Sequence, residues 1–325
     1  MDNIAASLDE DTLNKLGDEV VSNFDNDDRS RADWLTKYEE AMKLAAQVAE
    51  EKSYPWPNAA NVKFPLLTEA ALQFNARAYP ALVPGTDIVK ARTVGFDVTG
   101  EKQDSAIRVS KHMSYQLLEE MEEWEENMDK LLMTVPIIGC MFKKTYFCPK
   151  AGRNKSIAVY PKDFVVDYDT NSLEEAYRKT HVMHYTENDI KLNVNAEIYL
   201  DVDLGEAQIE YGEDNIAGTK PTKVTGGTPY KILEQHTFLD LDDDGIEEPY
   251  IITVDYKSKQ VLRIAAGFDI EDVEVNYNDK IVNIPRDEYF IKYGFVPSPD
   301  GGFYDMGFGQ FLGPINKTVD TIINQ

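Results

Sequence analysis

Apolar residues recur at intervals of three and four through the first third of the chain, and at shorter intervals through its middle. Trp34, Tyr38, Ala41, Ala45 and Val48 mark one helix, with Asp27 and Asp28 placed as its N-cap and first-turn acids. It is expected to end before Tyr54-Pro55-Trp56-Pro57-Asn58, a stiff proline-aromatic loop. A second helix covers about Leu66 to Ala78 and is expected to stop at Pro80 and Pro84. The third pattern is the longest. From about Lys102 to Met133 there is no Pro or Gly, and Met113, Leu117, Met121, Trp124, Met128 and Leu131 define one face. At ~1.5 Å per residue such a helix spans roughly 45 Å. Its other faces carry Glu119, Glu120, Glu122, Glu123, Glu125, Glu126 and Asp129. A narrow apolar seam with acidic flanks fits a helix lying against a neighbouring subunit, with Leu117, Met121, Trp124 and Met128 as oligomer contacts. It equally fits a core helix with a solvated face.

After Pro136 the periodicity changes. Residues 140–147, 156–160 and 164–168 read as short strands, interrupted by small helices near 172–178 and 187–192. Residues 201–228 are acidic, then rich in Gly, Thr and Lys, and read as a loop or ragged hairpin. Strands resume at 231–239, 249–256, 261–266, 280–284 and 288–295. The expected class is α+β: a helical N-terminal part with one long helix, an antiparallel β-rich middle, and the start of a further helix. This divides the chain into residues 1–98, 99–139, 140–306 and 307–325. The last helix is expected to open with Pro314 in its first turn, followed by Ile315, Val319, Ile322 and Ile323 at helical spacing. It reaches Gln325 without a glycine or basic cap, so the expectation is a polypeptide that continues.

Composition narrows the function classes. With 325 residues, 42% of them hydrophobic, the chain can form one large or two modest cores. Its net charge of −25 argues against a sequence-reading nucleic-acid binder, because affinity for the phosphate backbone comes from Lys and Arg. An acidic wall suits a conduit past which DNA slides without sticking, and the same charge also serves solubility. No run of about 18 apolar residues and no signal-peptide pattern occur, which fits a protein made and kept soluble in a cytoplasm, with no membrane partner. Cys140 and Cys148 flank an expected strand, ~26 Å apart if extended, and are expected to be free thiols.

One motif has metal-ligand spacing. Asp240-Leu241-Asp242-Asp243-Asp244-Gly245-Ile246-Glu247-Glu248 carries the D-x-D-x-D-G of a calcium loop, in which the glycine lets the acids at positions one, three and five converge. Asp240, Asp242, Asp244 and Glu248 are the candidate ligands for structural Ca²⁺. Position twelve is Ile251, so the bidentate Glu of an EF-hand is missing, and an inert acidic turn is the alternative. His112, His181, His184 and His236 show no zinc spacing. Neither G-x-S-x-G nor a Walker phosphate loop is present, so no enzyme is expected. A basic stretch, Lys143, Lys144, Lys150, Arg153 and Lys155 with Tyr146 and Phe147, reads as a solvated hairpin tip, a partner for acids of a neighbouring subunit, or a backbone-phosphate contact.

Four segments in order resemble the portal (head-to-tail connector) proteins of tailed bacteriophages, most of all those of short-tailed phages. They are Tyr54-Pro55-Trp56-Pro57-Asn58-Ala59-Ala60-Asn61-Val62-Lys63-Phe64-Pro65-Leu66 with the helix after it, Val159-Tyr160-Pro161-Lys162-Asp163-Phe164-Val165-Val166-Asp167, the acidic loop from Asp240 to Tyr250, and Gly307 to Gln325. The resemblance implies a ring, usually a dodecamer, at one capsid vertex of the virion, through which double-stranded DNA passes non-specifically during packaging and ejection. It implies major capsid protein, scaffold, terminase and tail adaptor as partners, no hydrolytic site, and further segments after Gln325. A different class stays open: a calcium-stabilised structural or adhesion module of a virion or cell surface, without a channel.

Overall fold

A buried arginine interrupts the first helical run. The computed structural model describes residues 3–48, 56, 61–207, 229–242, 244–277 and 280–325. Helix α1 (Glu10–Ser30) is capped by Asp9, whose carboxylate accepts the Thr12 N–H at 2.6 Å, and it ends at Arg31. The Arg31 guanidinium donates to the carbonyls of Phe164 and Lys162, each at 3.1 Å, to that of Pro161, and to Asp28 at 2.7 Å. Helix α2 (Ala32–Ala45) follows. Asp27 and Asp28 therefore do not start a helix, as the sequence suggested. They lie in the last turn of α1, where buried Asp27 accepts two hydrogen bonds from Arg178 at 2.7 and 3.1 Å.

The remaining helices are α3 (Leu66–Leu82), α4 (Glu101–Tyr115), α5 (Trp124–Ile138), α6 (Glu187–Asn195) and α7 (Phe308–Ile323). The strands are β1 (Cys140–Cys148), β2 (Arg153–Val159), β3 (Phe164–Val165), β4 (Lys179–Tyr185), β5 (Tyr230–Leu239), β6 (Glu248–Asp255), β7 (Val261–Ala266), β8 (Glu274–Val275), β9 (Ile281–Asn283) and β10 (Phe290–Gly294). All pairings are antiparallel, and the class is α+β. The proline-aromatic loop, Trp56 apart, and most of the 201–228 stretch lie outside the described residues.

Two compact units interleave along the chain, where the sequence reading cut it into four consecutive blocks. The first comprises residues 1–36, 161–288 and 299–303. Its centre is a five-stranded sheet in the order β3-β4-β5-β6-β7. Leu16, Val20 and Phe24, spaced by four along α1, pack with Leu233, Ile252 and Val254 of the sheet. Gly17 permits this approach, because a Cβ there would sit 1.9 Å from the Lys259 carbonyl oxygen. A second cluster joins Ile232 and Leu262 to Ile190 of α6. The expected helix over 172–178 is absent. Arg286 takes the carbonyls of Ala176 at 2.7 Å and Glu174 at 2.6 Å, and the latter is one that a helix reaching 178 would need for itself.

The second unit comprises residues 37–160, 289–298 and 304–325. Its sheet runs β10-β1-β2, and α5 packs against α3, α7, β1 and β2. Leu67, Leu131, Ile138, Met141 and Phe142 are buried there.

The single helix expected over 102–133 is in fact two. After α4 the residues Gln116–Glu120 form a widened π turn, and Met121 leaves helical space at φ −92°, ψ 73° before α5 begins. Six glutamates crowd residues 119–126, and a wider turn with a break relieves their i,i+3 and i,i+4 repulsion. Arg153, at the start of β2, fixes the break by donating to the Glu120 carbonyl, and lies 3.6 Å from the Glu122 carboxylate. The prolines also sit deeper in helices than the sequence suggested. Pro80 lies inside α3 and Pro136 inside α5, while α7 starts at Phe308, well before Pro314. The Gln310 side chain accepts the Gly307 N–H at 2.7 Å and closes that start.

Candidate functional site

The acidic motif forms the turn between β5 and β6, whose last paired residues are Leu239 and Glu248. Asp240 accepts the backbone N–H of Asp244 at 3.1 Å and of Gly245 at 2.9 Å, and Asp244 accepts that of Ile246 at 2.8 Å. Gly245 has φ +88°, a conformation that few other residues adopt cheaply. The turn brings one carboxylate oxygen each from Asp240, Asp242 and Asp244 within 4.8 Å of one another. Asp243 lies outside the described residues.

Glu248, the fourth candidate ligand, opens β6 outside that group and is more buried than its three acids. It is only 9% exposed, and its Oε2 has no hydrogen-bond partner. Burial raises its pKa, and the negative charges of Asp242, Asp244 and Asp240 raise it further. Tyr250, two residues on and so on the same face of β6, is raised by burial and then by Glu248, Asp242 and Asp240. Glu247 is committed elsewhere. It accepts the Tyr177 hydroxyl at 2.7 Å, and burial together with that carboxylate pushes Tyr177 up to about 12. The donors gathered at this turn are hard oxygens, the kind that hold Ca²⁺ or Mg²⁺. No other cluster of metal-ligating side chains occurs among the described residues.

The four expected oligomer contacts do not share one helical face. Leu117 lies in the π turn, Met121 at the break and Trp124 at the start of α5, all half-buried, while Met128 is in the core. The basic stretch serves this same chain: Arg153 faces Glu122, and Lys155 lies 4.0 Å from Glu123. Lys143 is different again. It is 2% exposed, its Nζ has no hydrogen-bond acceptor, and it sits 5.0 Å from the centre of the Trp124 ring. Burial pushes its pKa down to about 8. Both cysteines are free thiols.

Helix α7 buries polar side chains and exposes apolar ones. Asn316 and Asp320 are buried, whereas Phe311, Ile315, Ile322 and Ile323 are exposed. The polar side grips an extended segment of the same unit. Asn316 accepts the Leu67 N–H at 3.3 Å, Asp320 that of Phe64 at 2.7 Å, and Asn324 that of Val62 at 2.7 Å. Asn324 also donates to the Val62 carbonyl at 2.8 Å. Sequence reasoning missed these three residues. The signal was there: side chains able to accept hydrogen bonds, repeating every four positions at 316, 320 and 324. Further apolar surface lies before α4, where Val94, Phe96 and Val98 are 88%, 90% and 85% exposed, and on α4 itself at Ile107, Val109 and Met113.

No family model matches the chain, and no curated protein matches it. Among the described residues no helix is long and apolar enough to cross a membrane.

Proposed function

We propose that the chain is a wall subunit of a bacteriophage portal ring, a non-enzymatic channel at one capsid vertex through which double-stranded DNA enters and leaves the virion. The observation that carries this reading is the outward apolar stripe of α7, Phe311, Ile315 and Ile322, on a helix whose polar side is already used within its own unit. A helix so arranged is suited to further packing, and a patch of this kind marks an interface. The occupant is a second copy of the chain. Charge complementarity favours it: exposed Lys90, Arg92, Lys102, Arg108 and Lys111 precede the exposed Glu119, Glu122, Glu123, Glu125 and Glu126 in the same unit. A head-to-tail contact pairs the lysines and arginines of 90–111 in one subunit with the glutamates of 119–126 in the next, and heterologous contacts form a ring where their rotation closes.

Two of the segments that carry the portal resemblance support the same reading. Residues 61–66 and the helix after Gly307 are held to each other by Asn316, Asp320 and Asn324. The motif residues are thus engaged in architecture. The partners in this reading are a dodecamer of identical chains, the major capsid protein and scaffold, the terminase motor and a tail adaptor. Negative-stain images and mass photometry of the intact protein test it. Closed rings of around a dozen chains are expected, and particles no larger than trimers overturn it. The acidic β5–β6 turn favours the second reading, a calcium-stabilised structural or adhesion module, which those small particles support.

A further inference from the structure

We infer that the extended segment 90–98 of one copy of this chain docks on the β8–β9 hairpin of another. The contact rests on the ring reading and names a second place where neighbouring subunits meet. Residues 88–98 belong to no strand or helix, yet every fourth residue ties them to α4. The Val89 N–H donates to Ser114 Oγ at 3.1 Å, and its carbonyl accepts the Ser110 hydroxyl. The Thr93 hydroxyl donates to Gln103 at 3.2 Å, and Asp97 accepts the N–H groups of Gly100 and Gln103 at 3.0 and 2.9 Å. Lys90, Arg92, Val94, Phe96 and Val98, which alternate along the same segment, are all exposed. Apart from this segment, α4 packs closely only with the π turn that continues it, among the described residues of its unit. A helix of 15 residues so placed is marginal by itself, and apolar side chains anchored in water mark an interaction surface.

Charge identifies the occupant. Residues 88–113 carry five Lys or Arg against three acids, in a chain whose net charge is −25. Their complement lies around β8 and β9. Residues 268–277 hold four acids and no Lys or Arg. Glu271, Asp272 and Glu274 are exposed there beside Ile270, Val275 and Tyr277, the last at 94%. Among the described residues of their unit the two short strands pack closely only with each other, and a lone two-stranded ribbon is marginal in water. Both surfaces therefore join charge to apolar side chains, with opposite signs. Like charges disfavour pairing segment with segment or hairpin with hairpin, so the contact is head-to-tail. Lys90 and Arg92 meet Glu271 and Glu274, and Phe96 covers Val275 and Tyr277. Arg108 and Lys111, on α4, remain for the glutamates of 119–126. So few side chains cover less than the ~800 Å² per partner of a stable interface, so this contact works beside the α7 stripe.

The full chain carrying the photo-crosslinker p-benzoylphenylalanine in place of Phe96 is mixed with isotope-labelled parent chain and irradiated over a range of concentrations. Mass spectrometry is expected to find crosslinks between differently labelled chains, ending in residues 268–277 or 280–284. Crosslinks confined to one chain, or ending in any other segment, overturn the proposal. Lys90→Glu combined with Arg92→Glu should raise the protein concentration needed for assembly at least about tenfold. Both residues are exposed, so the melting temperature should stay within about 1 °C of the parent. Adding Glu271→Lys and Glu274→Lys to the same chain should restore most of the assembly. No loss in the first variant, or loss without rescue in the second, overturns the proposal. Flotation with anionic lipid vesicles, abolished by Phe96→Ser, assigns the segment to a membrane surface and overturns it equally. Rings whose crosslinks end elsewhere overturn this contact alone. Particles no larger than trimers that crosslink as expected overturn the ring and leave the contact standing, and a chain that never associates overturns both.

Discussion

The carboxylate of Asp320 accepts the backbone N–H of Phe64 at 2.7 Å, across 256 positions of sequence. It is one rung of a three-rung clasp with Asn316 and Asn324. Asp320→Ala leaves a main-chain donor without its charged acceptor, so a loss of about 2–4 kcal/mol is expected in urea denaturation. Asp320→Asn keeps an acceptor oxygen and should lose about 1 kcal/mol.

Lys143 should be a liability at neutral pH. Its pKa falls from 10.5 to about 8 on folding, a shift of roughly 3 kcal/mol against the protonated form. Below pH 8 both folded and unfolded chains carry the proton, and the full penalty applies. It fades as pH rises towards the ordinary lysine value, where both states are neutral. Lys143→Met is therefore expected to stabilise the protein by about 1–3 kcal/mol at pH 7, less any lost attraction to Trp124. That gain should vanish near pH 10.5, as read from paired melts of variant and parent across the range.

Gly309 reverses the usual rule that alanine stabilises a helix. A Cβ at Gly309 would lie 2.3 Å from the Ala41 Cβ and 3.0 Å from the Ile137 carbonyl oxygen. Gly309→Ala gains up to about 1 kcal/mol in propensity but forces α7 away from both neighbours. A net loss of about 1–3 kcal/mol is expected, measured by chemical denaturation.

Arg153 holds the break between α4 and α5. Arg153→Ala should lower stability by about 1–2 kcal/mol, because the Glu120 carbonyl loses a charged donor. Hydrogen exchange should accelerate over residues 116–123 more than in β1 or α3. Uniform acceleration would show that Arg153 acts through the whole unit instead.

Ile315 tests the assembly proposal without disturbing the clasp. It lies on the exposed side of α7, so Ile315→Glu should shift the melting point of the isolated chain by no more than about 1 °C. Assembly, followed by mass photometry, should need at least about tenfold more protein.

The β region was legible because its signals are local. Alternation and turn residues marked β1, β5, β6 and β7, and the D-x-D-x-D-G spacing marked an acidic turn that draws Asp240, Asp242 and Asp244 together but not the fourth candidate, Glu248. The helical part was less legible because distant groups decide its boundaries. Nothing near Met121 announces a break, which depends on Arg153 arriving from a hairpin about thirty residues on. Arg31 ends α1 through carbonyls at 161–164, and Arg286 unravels 172–178 from more than a hundred residues away. Pro80 looked like a stop and Pro314 like a helix start because propensity was weighed without packing. The orientation of α7 was not legible for a related reason. Its apolar stripe resembled a core face, whereas buried amides and a carboxylate already occupied the inward side.

The clasp of α7 also bears on divergence. Asn316, Asp320 and Asn324 hold main-chain atoms of Val62, Phe64 and Leu67, so the grip itself reads no side chain there, proline excepted, although Leu67 is also fixed by its burial in the core. Substitutions at the exposed Val62 and Phe64 can accumulate over generations while the attachment survives, whereas the three gripping residues have little room to drift.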